Sequence, residues 1–133
     1  MKKKIKVVVS VFVILILIGV AAIFFSIKQS AERLDILENA DIDMMQVADG
    51  TYSGYSDTGL VKAEVSVEVK NHKIVNIELI RHENGRGTPA ESILDEMISQ
   101  NSDNVDAVSG ATVSSETIRN AVNVALQKGL LKE

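Results

Sequence analysis

Residues 7–25 form a run of nineteen residues in which Ser10 is the only polar side chain. A helix of that length and composition has no wet face to offer a small soluble core, but it is long enough to cross the hydrocarbon of a bilayer, and Ile27 extends it slightly. Lys2, Lys3, Lys4 and Lys6 come before it and a stretch rich in Asp and Glu follows. That asymmetry predicts a cytoplasmic N-terminus with the rest of the chain on the extracytoplasmic side of the cell membrane. A cleaved signal peptide shares the basic tip and the apolar run. This run is long for one and lacks a clear Ala-x-Ala exit, so the sequence predicts an uncleaved, single-pass anchor.

What remains of the 133 residues is enough for one small domain. The expected organisation is a basic tip and anchor over residues 1–27, a juxtamembrane stalk over 28–48 and a domain over 49–133. With no cysteine in the chain, a disulfide framework, a thiolate metal site and a lipid-modified cysteine are excluded. From residue 26 onward, ten Lys or Arg stand against eighteen Asp or Glu, a balance that speaks against nucleic acid and against lying flat on an anionic membrane. Residues 31–45 are charged with scattered Leu and Ile. They read as a stalk that either docks on the domain through Leu34, Leu37 and Met44 or Met45, or stays a solvated, flexible tether reaching to residue 48.

Beyond the stalk, Val61, Ala63, Val65, Val67 and Val69 alternate with Lys62, Glu64, Ser66, Glu68 and Lys70, the pattern of a strand with one buried face. Asn71-His72 marks a tight reversal, with His72 solvated. Residues 74–80 return with Val75, Ile77 and Leu79 on one face. His82-Glu83-Asn84-Gly85-Arg86-Gly87 then reads as a polar loop, and Thr88-Pro89-Ala90-Glu91 as a capping box opening a helix with Ile93, Leu94, Met97 and Ile98 on its apolar face. A last helix, about residues 116–127, offers Ile118, Ala121, Val122, Ala125 and Leu126. The fold class is therefore α+β: a small antiparallel sheet packed by helices, preceded by one transmembrane helix.

Between those two helices runs Asp106-Ala107-Val108-Ser109-Gly110-Ala111-Thr112, followed by Val113-Ser114-Ser115-Glu116. Ser114 or Ser115 is placed to cap the last helix, with Glu116 in its first turn and Thr112 just outside it. The orphan N–H groups of a helix N-terminus, with Gly110 permitting close backbone approach, suit a phosphate. The Asp106 to Thr112 run resembles the signature of the FMN-binding domain family, which includes flavin-carrying subunits of sodium-translocating quinone reductase and of Rnf-type electron-transport complexes. The resemblance extends over residues 49–130, through the Asp49-Gly50-Thr51-Tyr52-Ser53-Gly54 opening, the hairpin and the terminal helix.

The resemblance implies that Thr112 is esterified to the phosphate of FMN by a flavin transferase that uses FAD and magnesium. Asp106 would open the motif, and Ser109, Gly110 and Ala111 would form the turn before the acceptor. The family's Thr-Pro-Gly-Leu-Gly-like segment, associated with the flavin, has no good counterpart; Gly85-Arg86-Gly87-Thr88-Pro89 stands in about its place. His82 and Arg86 either border the flavin or are ordinary polar residues at a strand end. No metal site has enough ligands at usable spacing, and no phosphate-binding glycine loop is present. The implied role is an electron carrier tethered outside the membrane, between a membrane reductase and an external acceptor, with membrane electron-transport proteins as partners and no nucleic acid. A substrate-specific flavin reductase and a non-enzymatic surface domain without flavin are the alternatives.

Overall fold

The computed structural model of the chain describes residues 1–35, 37–83 and 88–130, without the side chains of residues 2–4, 30, 31 and 33–35. The apolar run lies within one helix, α1 (Lys2–Asp35), of which Ile5–Gln29 is long and apolar enough to cross a membrane. Those 25 residues rise about 37 Å, against a hydrocarbon core of about 30 Å. The helix passes residue 27 without a break, so the anchor and the first part of the stalk are one element.

Three strands, β1 (Gly50–Asp57), β2 (Lys62–Lys70) and β3 (Lys73–Glu83), form an antiparallel sheet in the order β1-β2-β3. The alternation of β2 is realised as read: Ala63, Val65, Val67 and Val69 are buried and the intervening polar residues are not. Asn71 (φ 52°) and His72 (φ 60°) supply the two left-handed residues that a tight two-residue hairpin needs. β3 departs from simple alternation. Its register steps from Glu68↔Asn76 to Val69↔Ile74, so Val75 is an extra, exposed residue, and Ile74 takes the core position instead. A second bulge, opposite Glu64 and Val65, leaves Ile80 exposed. It also carries the strand on to Glu83, which places His82 opposite Ala63 in the sheet rather than in a loop.

Two helices cover the apolar face. α2 (Ile93–Gln100) packs on β3 with Ile93 and Met97 buried, and ends at Asn101 in the left-handed conformation (φ 53°). The capping box read at Thr88 does not open this helix. Thr88–Ser92 is a separate 3₁₀ turn, and its Glu91 carboxylate accepts the Nδ1–H of His82 at 2.9 Å. α3 (Thr112–Gly129) lies on β1 and β2, with Ile118, Ala121, Val122, Ala125 and Leu126 buried. It approaches β1 so closely that a Cβ on Gly54 would sit 1.7 Å from the Ala121 carbonyl oxygen.

The end of the stalk is docked. Asn120 Nδ2 donates to the Glu38 carbonyl (3.3 Å) and to Asn39 Oδ1 (2.9 Å). Asn123 takes the N–H of Ala40 on its Oδ1 (3.0 Å) and returns its Nδ2–H to the Ala40 carbonyl (2.8 Å). Met44 is buried, Met45 is exposed, and the Leu34 side chain lies outside the described residues. Val47 bridges to Leu130, and the His72 Nδ1–H donates to the Val47 carbonyl at 3.0 Å. A flexible tether running to residue 48 is thus corrected: from Glu38 on, the segment is a strap, because the amides of α3 match its backbone donors and acceptors. His72 is correspondingly a clasp on that strap rather than a solvated turn residue.

Candidate functional site

The Asp106 to Thr112 signature occupies the connection from α2 back up the side of α3. Val105 is buried and Val108 packs on the core, which fixes the segment while Asp106, Ser109 and Gly110 stay exposed. The Ala111 N–H donates to the Val108 carbonyl at 3.0 Å, closing a turn around Ser109 and Gly110. Gly110 has φ +81° and its Cβ position faces open space, so glycine is required for its backbone conformation and not for room.

Thr112 is the first residue of α3 and is exposed. Here the structure corrects the reading of the helix start. The N-cap position is Ala111, which offers no side-chain hydrogen bond, and Ser114 and Ser115 lie buried inside the first turns. Glu116 is not in the first turn either; its Oε1 accepts from Arg119 Nη1 at 2.7 Å, and the first turn holds no acidic residue. The first helical N–H groups therefore have no side-chain cap from Ala111 and no first-turn carboxylate competing for them, beside an exposed threonine hydroxyl. This arrangement fits a phosphate on Thr112 Oγ1 better than the capped helix read from the sequence would.

The start of α3 is also located relative to the sheet. The Thr58 and Thr117 hydroxyls lie 3.2 Å apart, with Thr117 Oγ1 donating to the Val113 carbonyl at 2.7 Å. The N-terminal end of α3 thus stands at the edge where β1 ends and β2 begins. His82, in β3, has a side chain only 3% exposed and bonded to Glu91, so it is a strut between the sheet and the Thr88–Ser92 turn, which itself packs on α3. Arg86 lies outside the described residues.

Three residues of α3 shape the site further; Ser115 was read from the sequence only as a candidate cap, and Arg119 and Asn123 were not read at all. Ser115, Arg119 and Asn123 recur every fourth residue along one side of α3. Ser115 Oγ accepts the Val108 N–H (3.0 Å) and donates to the Ala111 carbonyl (2.9 Å). Arg119 donates to the Asp103 carbonyl (3.4 Å) and to Asn104 Oδ1 (2.8 Å), while Asn123 Nδ2 donates to the Asp103 carboxylate (2.7 Å). The available signal was the recurrence of polar residues every fourth position beside the apolar face of the helix. Among the described residues no group of three or more His, Cys, Asp or Glu is arranged to hold a metal ion.

No curated protein matches the chain. The family model described as the FMN-binding domain matches residues 54–127, more than half of the 133 residues and inclusive of β2, β3, both covering helices to within two residues of the end of α3, and the signature itself. The chain therefore belongs to the FMN-binding domain family, whose cofactor is FMN.

Proposed function

We propose that this protein is a membrane-tethered, extracytoplasmic flavoprotein that carries FMN as a phosphoester on Thr112 and relays electrons between a membrane reductase and an external acceptor. The observation that carries the reading is an exposed threonine at the uncapped start of an eighteen-residue helix, inside the region matched by the family. In the attachment step, Thr112 Oγ1 forms a bond to the FMN-side phosphorus of FAD. The P–O–P anhydride breaks, AMP leaves, and the hydroxyl proton passes to the flavin transferase. The product is a phosphodiester with one negative charge, which the uncapped N–H groups at the start of α3 are placed to favour. Bound FMN supplies reversible electron uptake and release; the chain supplies position and exposure.

A covalent link suits a domain this small. About 85 residues from Asp49 on leave little interior in which to enclose a flavin, and an ester removes the need for high equilibrium affinity. A cavity of about 320 Å³ is lined by the strap, residues 102–104 and Arg119, and not by the signature. The carrier role asks for proximity to partners rather than for a closed site. The N-terminal lysines support the proposed orientation.

The test is to produce the full chain with and without a flavin transferase and to weigh the peptide containing Thr112. An FMN increment that requires the transferase and is lost in T112A is expected. Unmodified Thr112 in both samples, or flavin persisting in T112A, refutes the assignment. Protease added to cells whose wall or outer membrane has been opened, with the cytoplasmic membrane intact, should digest the region beyond residue 29; protection would reverse the orientation.

A further inference from the structure

The turn that presents Thr112 is held from within the helix it precedes. Ser115, fully buried, sits three residues after Thr112. Its hydroxyl accepts from Val108 N–H at 3.0 Å and donates to the Ala111 carbonyl at 2.9 Å, while its backbone N–H donates to the same carbonyl at 2.9 Å. Val108 and Ala111 are the two ends of the turn closed by the Ala111 N–H to Val108 carbonyl bond. One side chain therefore clamps both ends of the Ser109-Gly110 turn.

The alternative way to tie a loop to a helix start is an N-cap, whose side-chain oxygen takes the N–H of the second or third helical residue. That would occupy the groups a phosphate on Thr112 needs. Ser115 instead spends its acceptor on an N–H of the loop and its donor on the last carbonyl before the helix. The loop becomes rigid and the N-terminal N–H groups stay open. A serine bonding back to the carbonyl four residues earlier costs a helix little, and here that bond has a second use.

We propose that Ser115 is a positioning residue for FMN attachment: its hydroxyl fixes the Val108 to Ala111 turn so that Thr112 Oγ1 is presented in one orientation to the flavin transferase. This rests on Thr112 being the acceptor. Without the hydroxyl the half-buried Val108 N–H loses its partner and the turn samples other conformations, so the fraction of encounters with Thr112 in line falls. Loss of these two hydrogen bonds, one buried and one partly buried, corresponds to a fall of roughly tenfold or more in attachment rate.

The experiment uses the full chain with a flavin transferase, FAD and Mg²⁺, following the FMN increment on the Thr112 peptide over time. S115A and the near-isosteric S115C should both load roughly tenfold or more slowly. S115T, which keeps the hydroxyl, should load within about threefold of wild type. V122A, a buried α3 substitution away from the turn, serves as a control for loss of stability alone. The maximal rate should fall in S115C with the KM for FAD unchanged. Loading of S115A and S115C at the wild-type rate, or an equal slowing in V122A, overturns the proposal while leaving Thr112 as the acceptor. If S115A does not accumulate, slow S115C beside fast S115T supports the proposal, and equal rates for those two overturn it. Wild-type protein that never gains flavin overturns the acceptor assignment and this inference with it.

Discussion

Replacing Gly54 by alanine would drive a methyl group into the backbone of α3. The added Cβ would lie 1.7 Å from the Ala121 carbonyl oxygen, 2.8 Å from its carbon and 2.9 Å from the Ala125 nitrogen. All three are main-chain atoms of a packed helix, so no rotamer change relieves the clash, and α3 and β1 must separate by roughly 1.5 Å to restore ordinary contact. Overpacking of side chains costs about 1–3 kcal/mol; a methyl against backbone belongs at or above the top of that range, about 3 kcal/mol. For a domain of this size that lowers Tm by more than about 10 °C. The chain has no tryptophan and its two tyrosines, Tyr52 and Tyr55, both lie in β1, so tyrosine fluorescence of the detergent-solubilised full chain reports melting of this sheet without interference from α1. Because α3 also carries Thr112, FMN attachment should fall in the same variant. A G54A protein melting within about 2 °C of wild type would refute the close β1–α3 approach from which this is argued.

Three further outcomes follow from the same geometry. N123A removes the bonds to both backbone groups of Ala40, to the buried Asp103 carboxylate and to Gln127; a loss of about 3 kcal/mol by urea unfolding, with faster amide exchange at Ala40, is expected, and unchanged exchange there would contradict the docked strap. T112V should abolish flavin attachment yet keep Tm within about 2 °C, since the exposed first residue of α3 makes no capping bond; a large fall in Tm would mean the hydroxyl is structural. The hydrogen bond and charge of Glu68 raise the Lys70 pKa above 10.5, so any stabilisation from that pair is present below 10.5 and is lost as pH rises through the elevated value. The Tm difference between E68Q and wild type should therefore stay constant from pH 6 to 9 and shrink only above about 10.5, and added salt should shrink it at any pH because the pair is exposed.

The sheet was legible because β2 alternates without fault, and α3 because its apolar spacing is helical. β3 misled for a local reason: a bulge shifts which residue faces inward without altering composition, so Val75 and Ile74 exchange places invisibly. The helix start misled because Ser-Ser-x-x is the pattern of a cap, and only tertiary contact decides whether a serine turns toward the helix N–H groups or, like Ser115, toward the loop beneath them. The same is true of Thr88 to Glu91, whose carboxylate meets His82 across nine residues of sequence. The strap was left between two readings because the apolar residues of 38–48 follow no sustained helix or strand period; Met44 and Val47 enter the core, Ile42 packs against it, and Asn120 and Asn123 bond the backbone at Glu38 and Ala40. Thr112 was identified through its motif, and its exposure at an uncapped helix start came from the fold.

Docking of the strap changes how a relay built on this chain reaches its partners. A long flexible tether raises the effective concentration of one flavin at several sites by letting it swing. Here the chain is tied to α3 from Glu38, three residues after α1 ends, a gap that covers at most about 10 Å. Thr112 stands eight residues before Asn120, about 12 Å along the same helix. Thr112 is therefore held within a few tens of ångströms of the apolar Ile5–Gln29 segment. Encounters with different membrane partners would then come from lateral diffusion of the whole protein, at a nearly fixed height of the flavin above the bilayer. In the proposed relay, suited partners would present their redox centres at that height, and the bonds of Asn120 and Asn123 to the strap would help to set it.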